Sequence, residues 1–539
     1  MRQAGGIDSA FLAIETGDHP LHVMAVMILD PSTVPGGFTF EGFREFAADR
    51  LGGIPPFRQR LVPVPLGVGR PRWVDVEVDI DDHLHHVTLE GGGLADLARL
   101  AADLEPAPLD RQLPLWSMYV VEGLDDSALA VVAKVHHALM DGVGGMQFMA
   151  SMFSLTPTPE PVVTVGDDAE RTPRPWEQVL GAIPEIATAP VRVVRALASS
   201  VGAALRIRSA VRSDRSLALP TSAPHMRWND PLGPSRAIAF SSLPLADVKA
   251  VGRAADATVN DVVLTVIGGA CRSYLQPRGE LPDRALVAAV PVSLRGPGDD
   301  PSEVANAVTL MFASLGTDVA DPLARLETVH SSTLDAKHLQ EAVGADAFAR
   351  WLDAPSPVVV AAAARLYVGL HLASRTPAIM NLLVSNVPGP PITLYLGGAR
   401  LVALYPLGPV YDGVGLNITV VSGADTIDFG FVTCPDVIAD IGALAGEVVD
   451  TFATLRAMVP RDPDRQPERQ QLEGDAEAAL PDEDSTSDEY RHYLQDPDGL
   501  KQNARDEDEL HQDELLELDQ IELEELGLML DDPHQPEPE

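Results

Sequence analysis

Apolar residues recur along this chain at two spacings, and each spacing marks one kind of element. Phe40 to Leu51 and Leu94 to Leu104 repeat them at the interval of an amphipathic helix, whereas Leu21 to Leu29 reads as a strand. Ala128 to Val135 is a short apolar run with β-branched residues, the pattern of a buried strand, and it ends on His136-His137. After the glycines that follow, Met146 to Leu155 returns to a helical spacing. Further on, the pattern predicts a helix from Val259 to Tyr274, strands at Leu286 to Val292 and Asn417 to Val421, and a closing helix from Ala439 to Met458. These elements fall into two α/β units, residues 1–155 and 235–460. Residues 156–234 join them: a linker rich in Pro, Thr and acidic residues over Thr156 to Pro175, then helical segments to about Arg215, then a turn-rich crossing through Pro220, Pro224, Pro231 and Pro234. Residues 461–539 are polar and acidic, the composition of a largely disordered tail.

Charge sharpens that division. The chain of 539 residues carries a formal net charge of −40, but unevenly: the tail alone holds 28 acidic and 6 basic residues. So acidic a chain is a poor binder of nucleic acid phosphates. With 45% hydrophobic residues it can bury large cores. Only two cysteines occur, Cys271 and Cys434, with neither a disulfide framework nor a metal-ligand spacing, so a reducing cytoplasm is expected and no metal site. No signal peptide is expected at Met1 to Ile14, and no window reaches about 18 uninterrupted apolar residues, so no membrane span is expected. The nearest candidate, Pro357 to Ala373, contains Arg365 and His371.

The chemistry sits at the end of the buried-type strand, in His136-His137-Ala138-Leu139-Met140-Asp141-Gly142. A strand end before a glycine turn holds a side chain rigidly while it faces a cavity, and an imidazole there takes a proton from a hydroxyl near neutral pH. Asp141 and Gly142 shape the turn. Asn260-Asp261, ahead of a helical run, reads either as a helix cap or as a pair serving the active site. No phosphate-cradling glycine loop is present, so no cofactor-binding residue is assigned.

This segment, with Pro114-Leu115-Trp116 before it, resembles the bacterial wax ester synthase/diacylglycerol acyltransferase family, within the chloramphenicol acetyltransferase-like superfamily. Further blocks match in order: Ile7-Asp8-Ser9-Ala10-Phe11-Leu12, Leu21-His22-Val23, Pro71-Arg72-Trp73-Val74-Asp75, Asn260-Asp261-Val262-Val263-Leu264, Pro291-Val292-Ser293-Leu294-Arg295, Ser385-Asn386-Val387-Pro388-Gly389-Pro390 and Gly413-Val414-Gly415-Leu416-Asn417. The resemblance covers about residues 5–460. It implies an α/β fold of two chloramphenicol acetyltransferase-like domains, with mixed sheets flanked by helices and an active-site tunnel between them. It also implies an acyl-CoA-dependent O-acyltransferase with His137 as general base and His136 in a positioning role. Asn260 would steer His137 or the oxyanion, and Asp141 would pair with Arg295. Acyl-CoA is then a substrate, and no cofactor is needed. Diacylglycerol, giving triacylglycerol, is the expected acceptor; a long-chain alcohol, giving a wax ester, shares the same motifs. A condensation-type enzyme with another acceptor and a non-catalytic lipid-binding protein are the alternatives on the same fold.

One segment bears on how such an enzyme reaches lipid. Between Val191 and Arg215, Val194, Leu197, Val201, Leu205 and Val211 fall near helical spacing, with Arg192, Arg195, Arg206, Arg208, Arg212 and Arg215 against a single Asp214. Such a helix either lies on an anionic membrane or lipid inclusion or bridges the two α/β units.

Overall fold

The computed structural model describes residues 2–16, 19–65, 69–139, 148–149, 151–158, 174, 176–178, 188, 223–293, 308–343 and 357–459. The first half of the chain supplies β1 (Arg2–Gln3), α1 (Gly6–Ile14), β2 (His22–Asp30), α2 (Phe40–Gly52), β3 (Gln59–Val62), β4 (Arg72–Asp75), β5 (Leu84–Thr88), α3 (Leu94–Leu104), β6 (Trp116–Glu122), β7 (Leu129–His136) and β8 (Phe153–Ser154). The second half continues with β9 (Ala237–Pro244), α4 (Leu245–Ala254), α5 (Val259–Leu275), β10 (Val287–Ser293), β11 (Val308–Ser314), α6 (Pro322–Val343) and α7 (Pro357–Gly369). It closes with β12 (Leu382–Pro388), β13 (Tyr395–Leu396), β14 (Ala399–Leu407), β15 (Leu416–Ser422), β16 (Thr426–Thr433) and α8 (Ile441–Met458).

Two mixed sheets organise the described residues. A seven-stranded sheet runs β5-β6-β7-β2-β14-β13-β8, and a six-stranded sheet runs β11-β10-β12-β15-β16-β9. A small third sheet, β1-β4-β3, buries Trp73 and Val74 of the Pro71–Asp75 block. Every residue of β7 is buried, which is why its sequence reads as a continuous apolar run rather than an alternation. Helix α5 is starved of solvent in the same way, with α4, α6 and α8 packed on it. Its start is fixed by a capping box in which the Thr258 hydroxyl accepts from the Asp261 N–H and the Asp261 carboxylate accepts from the Thr258 N–H.

The two sheets do not divide along the sequence. Strands β13 and β14 come from the second half yet complete the first sheet, where β14 pairs antiparallel with β2 along Met24–Asp30. Phe153 and Ser154, expected as the end of a helix, instead form β8 against Tyr395 and Leu396. Only Phe148–Met149 and Ser151–Met152 are helical there among the described residues. The competition is tertiary: Phe153 is buried by pairing with the imported β13. One large apolar core cluster spans both halves, from Val26 and Val132 to Val266, Ile418 and Phe429.

Where β14 meets β16 the sheets are bolted together by polar contacts. The Asp428 carboxylate accepts from the Leu404 N–H at 3.0 Å and from the Ser242 hydroxyl at 2.7 Å. The Tyr405 hydroxyl lies 3.1 Å from that of Ser242, and its ring stacks on Phe240 at 4.6 Å. Gly430 permits this approach, since a Cβ there would lie 1.9 Å from the Pro406 carbonyl oxygen. The obstacle is backbone, not a flexible side-chain tip. Gly430→Val should therefore cost at least about 1–3 kcal/mol, the usual range for overpacking, seen as a lower urea midpoint in equilibrium unfolding.

Candidate active site

The double histidine stands where β7 runs out, and the backbone fixes both residues. His136 is in register with His22 of β2. Its N–H donates to the Leu115 carbonyl at 3.0 Å, and the His137 N–H donates to the Leu21 carbonyl at 2.8 Å. Leu115 and Trp116 are buried; the Trp116 indole N–H donates to the Phe57 carbonyl at 2.8 Å, and its ring stacks on His83. The Pro114-Leu115-Trp116 block is thus structural, the neighbour against which the histidine strand is set.

The two imidazoles have different environments. His136 is buried, and its Nδ1 accepts from the Ala138 N–H at 3.0 Å. A neutral ring must then carry its proton on Nε2, which faces Glu15 Oε1 at 3.4 Å. Glu15 also reaches His22 Nε2 at 3.5 Å, pairs with Arg111, and accepts from the Leu21 N–H at 3.4 Å. Burial alone would raise the Glu15 pKa, but His136 and Arg111 outweigh it and hold the carboxyl at about 2. His22 moves to about 3, because burial and then the nearby Lys134 disfavour its charged form. Sequence reasoning passed over Glu15; the only signal was an acid closely preceding the Leu21-His22-Val23 block.

His137 is the freer of the pair. Its ring lies 4.3 Å from that of Phe11 on α1 and keeps partial exposure. Burial lowers its pKa from the ordinary histidine value, so the ring is neutral at pH 7. Its Nδ1 is buried without a hydrogen-bond partner. Among the described residues no side chain claims its nitrogens.

Behind the pair lies a buried charged layer, in which Lys134 is the one charge in the otherwise apolar run of β7. Lys134, two residues before His136, sends Nζ to the carbonyls of Leu104, at 2.6 Å, and Ala107, and so caps the carboxyl end of α3. Burial lowers its pKa to about 8. The Glu105 carboxylate, raised by its own burial, lies 3.4 Å from Arg236 Nε, and its carbonyl accepts from His22 Nδ1 at 3.1 Å.

The second half of the chain contributes a separate polar cluster. Asp261 is consumed structurally: besides the cap, it accepts from His330 Nδ1 at 2.8 Å and from the Thr333 hydroxyl at 2.7 Å. Asn260 accepts instead from Asn386 Nδ2 at 3.3 Å, which joins the Asn260-Asp261 block to the Ser385–Pro390 block. No hydrogen bond links Asn260 to His136 or His137 among the described residues. Asn417 braces the Pro409 carbonyl, and Asp412 receives the Leu232 N–H and faces His19 at 3.1 Å. Asp141, Gly142 and Arg295 lie outside the described residues, as do the arginine-bearing segment of residues 191–215 and the acidic tail.

These depressed values make the site acid-sensitive. His22 is neutral when folded and would take a proton when unfolded, so stability falls as pH drops from 6.5 towards about 3. Glu15 adds a second loss between 4.5 and about 2. Urea midpoints measured against pH should show both stages, and His22→Gln should shrink the first, leaving the share of the other depressed histidines, His83, His85 and His137. Glu15→Gln should shrink the second, to which Asp261 and Asp412 also contribute, and cost roughly 1–3 kcal/mol at pH 7, as expected for unpairing buried polar groups.

Comparison with known proteins places this geometry. Residues 5–263 match the wax ester synthase/diacylglycerol acyltransferase catalytic domain, and residues 304–456 match the C-terminal domain of the same family. A Mycobacterium tuberculosis protein named as a diacylglycerol O-acyltransferase is 36% identical over 451 residues, covering 83% of this chain and 88% of its own length. Another from that organism is 34% identical over 469 residues, covering 84% and 98%. Among solved structures, the wax ester synthase/diacylglycerol acyltransferase of Marinobacter aquaeolei VT8 superposes with a TM-score of 0.61 at 26% identity, over 85% of this chain and 99% of that one. The first condensation domain of the CDA synthetase, with a TM-score of 0.50 at 16% identity over 86% and 97%, shares the fold. With both domain matches, these relatives and the double histidine on its buried strand, the chain belongs to the wax ester synthase/diacylglycerol acyltransferase family.

Proposed function

We propose that this protein transfers the acyl group of an acyl-CoA to the hydroxyl of a lipid alcohol, with diacylglycerol as the acceptor and triacylglycerol as the product. The observation that carries this reading is the division of labour between the two histidines. His136 has Nδ1 engaged by the Ala138 N–H and Nε2 directed at Glu15, which suits it to hold the turn. His137 is neutral, partly exposed and unclaimed by any described side chain, which suits it to exchange protons.

In this mechanism His137 takes the proton of the acceptor hydroxyl as the alkoxide oxygen attacks the thioester carbon. The C–S bond then breaks, and the same ring returns the proton to the departing thiolate, releasing CoA and the ester. One base serves both steps, so no acyl-enzyme forms. Asp141 pairing with Arg295 to brace the turn belongs to the same proposal, as does Asn260 near the developing oxyanion. A lipid acceptor resides in a bilayer or lipid inclusion, so the enzyme works at such a surface, and its two free buried cysteines fit a reducing cytoplasm.

Palmitoyl-CoA offered with diacylglycerol or with hexadecanol, followed by CoA release and separation of the lipid products, tests the assignment. Triacylglycerol is the expected main product; a dominant wax ester would change the acceptor, and no CoA release with any alcohol would leave a lipid-binding role. His137→Ala should lower the rate by ~10²–10⁴ while the protein stays folded, and His136→Ala by less. The opposite ranking in two folded variants would reassign the base.

A further inference from the structure

Helix α7 breaks the rule that a surface helix turns its polar side to water. Its sequence, PVVVAAAARLYVG, holds a single charged residue, and it packs on α1 while part of its surface stays exposed. Val359 and Leu366 are 57% and 59% exposed, with Ala362 and Ala363 exposed between them at helical spacing. Leu370, just past the helix, is 46% exposed and continues the stripe; Ile379 is 50% exposed in the segment that follows. Scattered exposed leucines need no explanation, but a continuous apolar stripe on one helix face does.

The charge around this stripe runs against that of the whole molecule. No Asp or Glu occurs between Asp353 and Asp412, in a chain whose net charge is −40. The same stretch carries Arg365, Arg375 and Arg400 and no lysine. Arg365 and Arg375 flank the apolar stripe, both exposed, and no ion pair engages either among the described residues. His371, also exposed, stands between them. A second copy of this face would set arginines against arginines, whereas anionic headgroups would neutralise them while acyl chains cover the stripe.

We infer that the outer face of α7, with Leu370 and Ile379, is the surface by which this protein docks on an anionic lipid bilayer. The helix is well placed for that role, because it rests on α1, whose Phe11 contacts the ring of His137. Lipid gathered at α7 is thus one helix away from the proposed base. The inference rests on the lipid-alcohol reading only in taking the bilayer as the source of the acceptor.

The test compares the full chain with Leu366→Asp/Leu370→Asp and with Arg365→Gln/Arg375→Gln. Sedimentation uses vesicles of phosphatidylcholine, with or without phosphatidylglycerol. The unaltered protein should bind the anionic vesicles, and salt should weaken that binding. The aspartate pair should reduce binding on the order of tenfold or more, through lost burial and headgroup repulsion. The glutamine pair should remove the preference for anionic over zwitterionic vesicles. CoA release with a short-chain alcohol dissolved as monomers should be unchanged in all three, which separates docking from folding and from chemistry. Undiminished vesicle binding by the aspartate pair would overturn the inference. So would a dimer that this pair dissociates in a protein that ignores vesicles. If vesicle binding follows the variants but no alcohol is acylated, the docking surface stands and the proposed reaction falls.

Discussion

The arrangement depends on β2 being held from both sides. On one side it pairs with β7, which ends in the histidines; on the other it pairs with β14, which arrives from more than 250 residues later in the chain. β14 in turn touches β16 of the second sheet through Asp428, Ser242, Tyr405 and the bare backbone of Gly430. The position of His137 is therefore set by both halves at once, because its N–H is tied to Leu21, the residue just before β2.

Burial near the histidines creates an electrostatic problem that the structure meets by layering. Glu15 remains ionised because Arg111 and His136 face it, and in the same contact it holds His136 and the Leu21 N–H. Lys134 loses part of its basicity to burial but satisfies the end of α3. These groups do not touch a reacting atom on the mechanism proposed. They set the ring beside the base, and rigid support of that kind makes a strand end usable for proton transfer.

Much of the framework was legible because it follows from local periodicity. β2, β7, α2, α3, α5 and α8 were each expected within a residue or two, and the double histidine was found where β7 stops. β14 carried no equivalent mark, since Arg400 to Leu407 reads as an ordinary half-buried strand and its partner is chosen by tertiary packing alone. For the same reason Phe153 and Ser154 were assigned to a helix. Asp261 was read as either cap or active-site group; its oxygens are taken by Thr258, His330 and Thr333, which weighs for the structural role. Thr258, three residues earlier, was the available signal for a capping box. Lys134 was visible as the lone charge in LAVVAKVH, a pattern that burial of the whole strand makes costly unless the ammonium finds acceptors.

The remaining question is why the base should be the histidine with a lowered pKa. A lower value weakens the ring as a proton acceptor but keeps it unprotonated at neutral pH, and the same ring must give the proton up to a thiolate one step later. A thiolate, with an unperturbed pKa near 8.5 for the cysteine side chain against about 6.5 for histidine, is the stronger base of the two, so the protonated ring gives its proton up to the departing thiolate. An imidazole whose pKa burial lowers is neutral before the attack and does not hold the proton against the thiolate after it. Phe11 of α1 packs against the His137 ring, and α1 in turn carries α7. On the two proposals made above, the base and the lipid-docking face would meet on one element, α1.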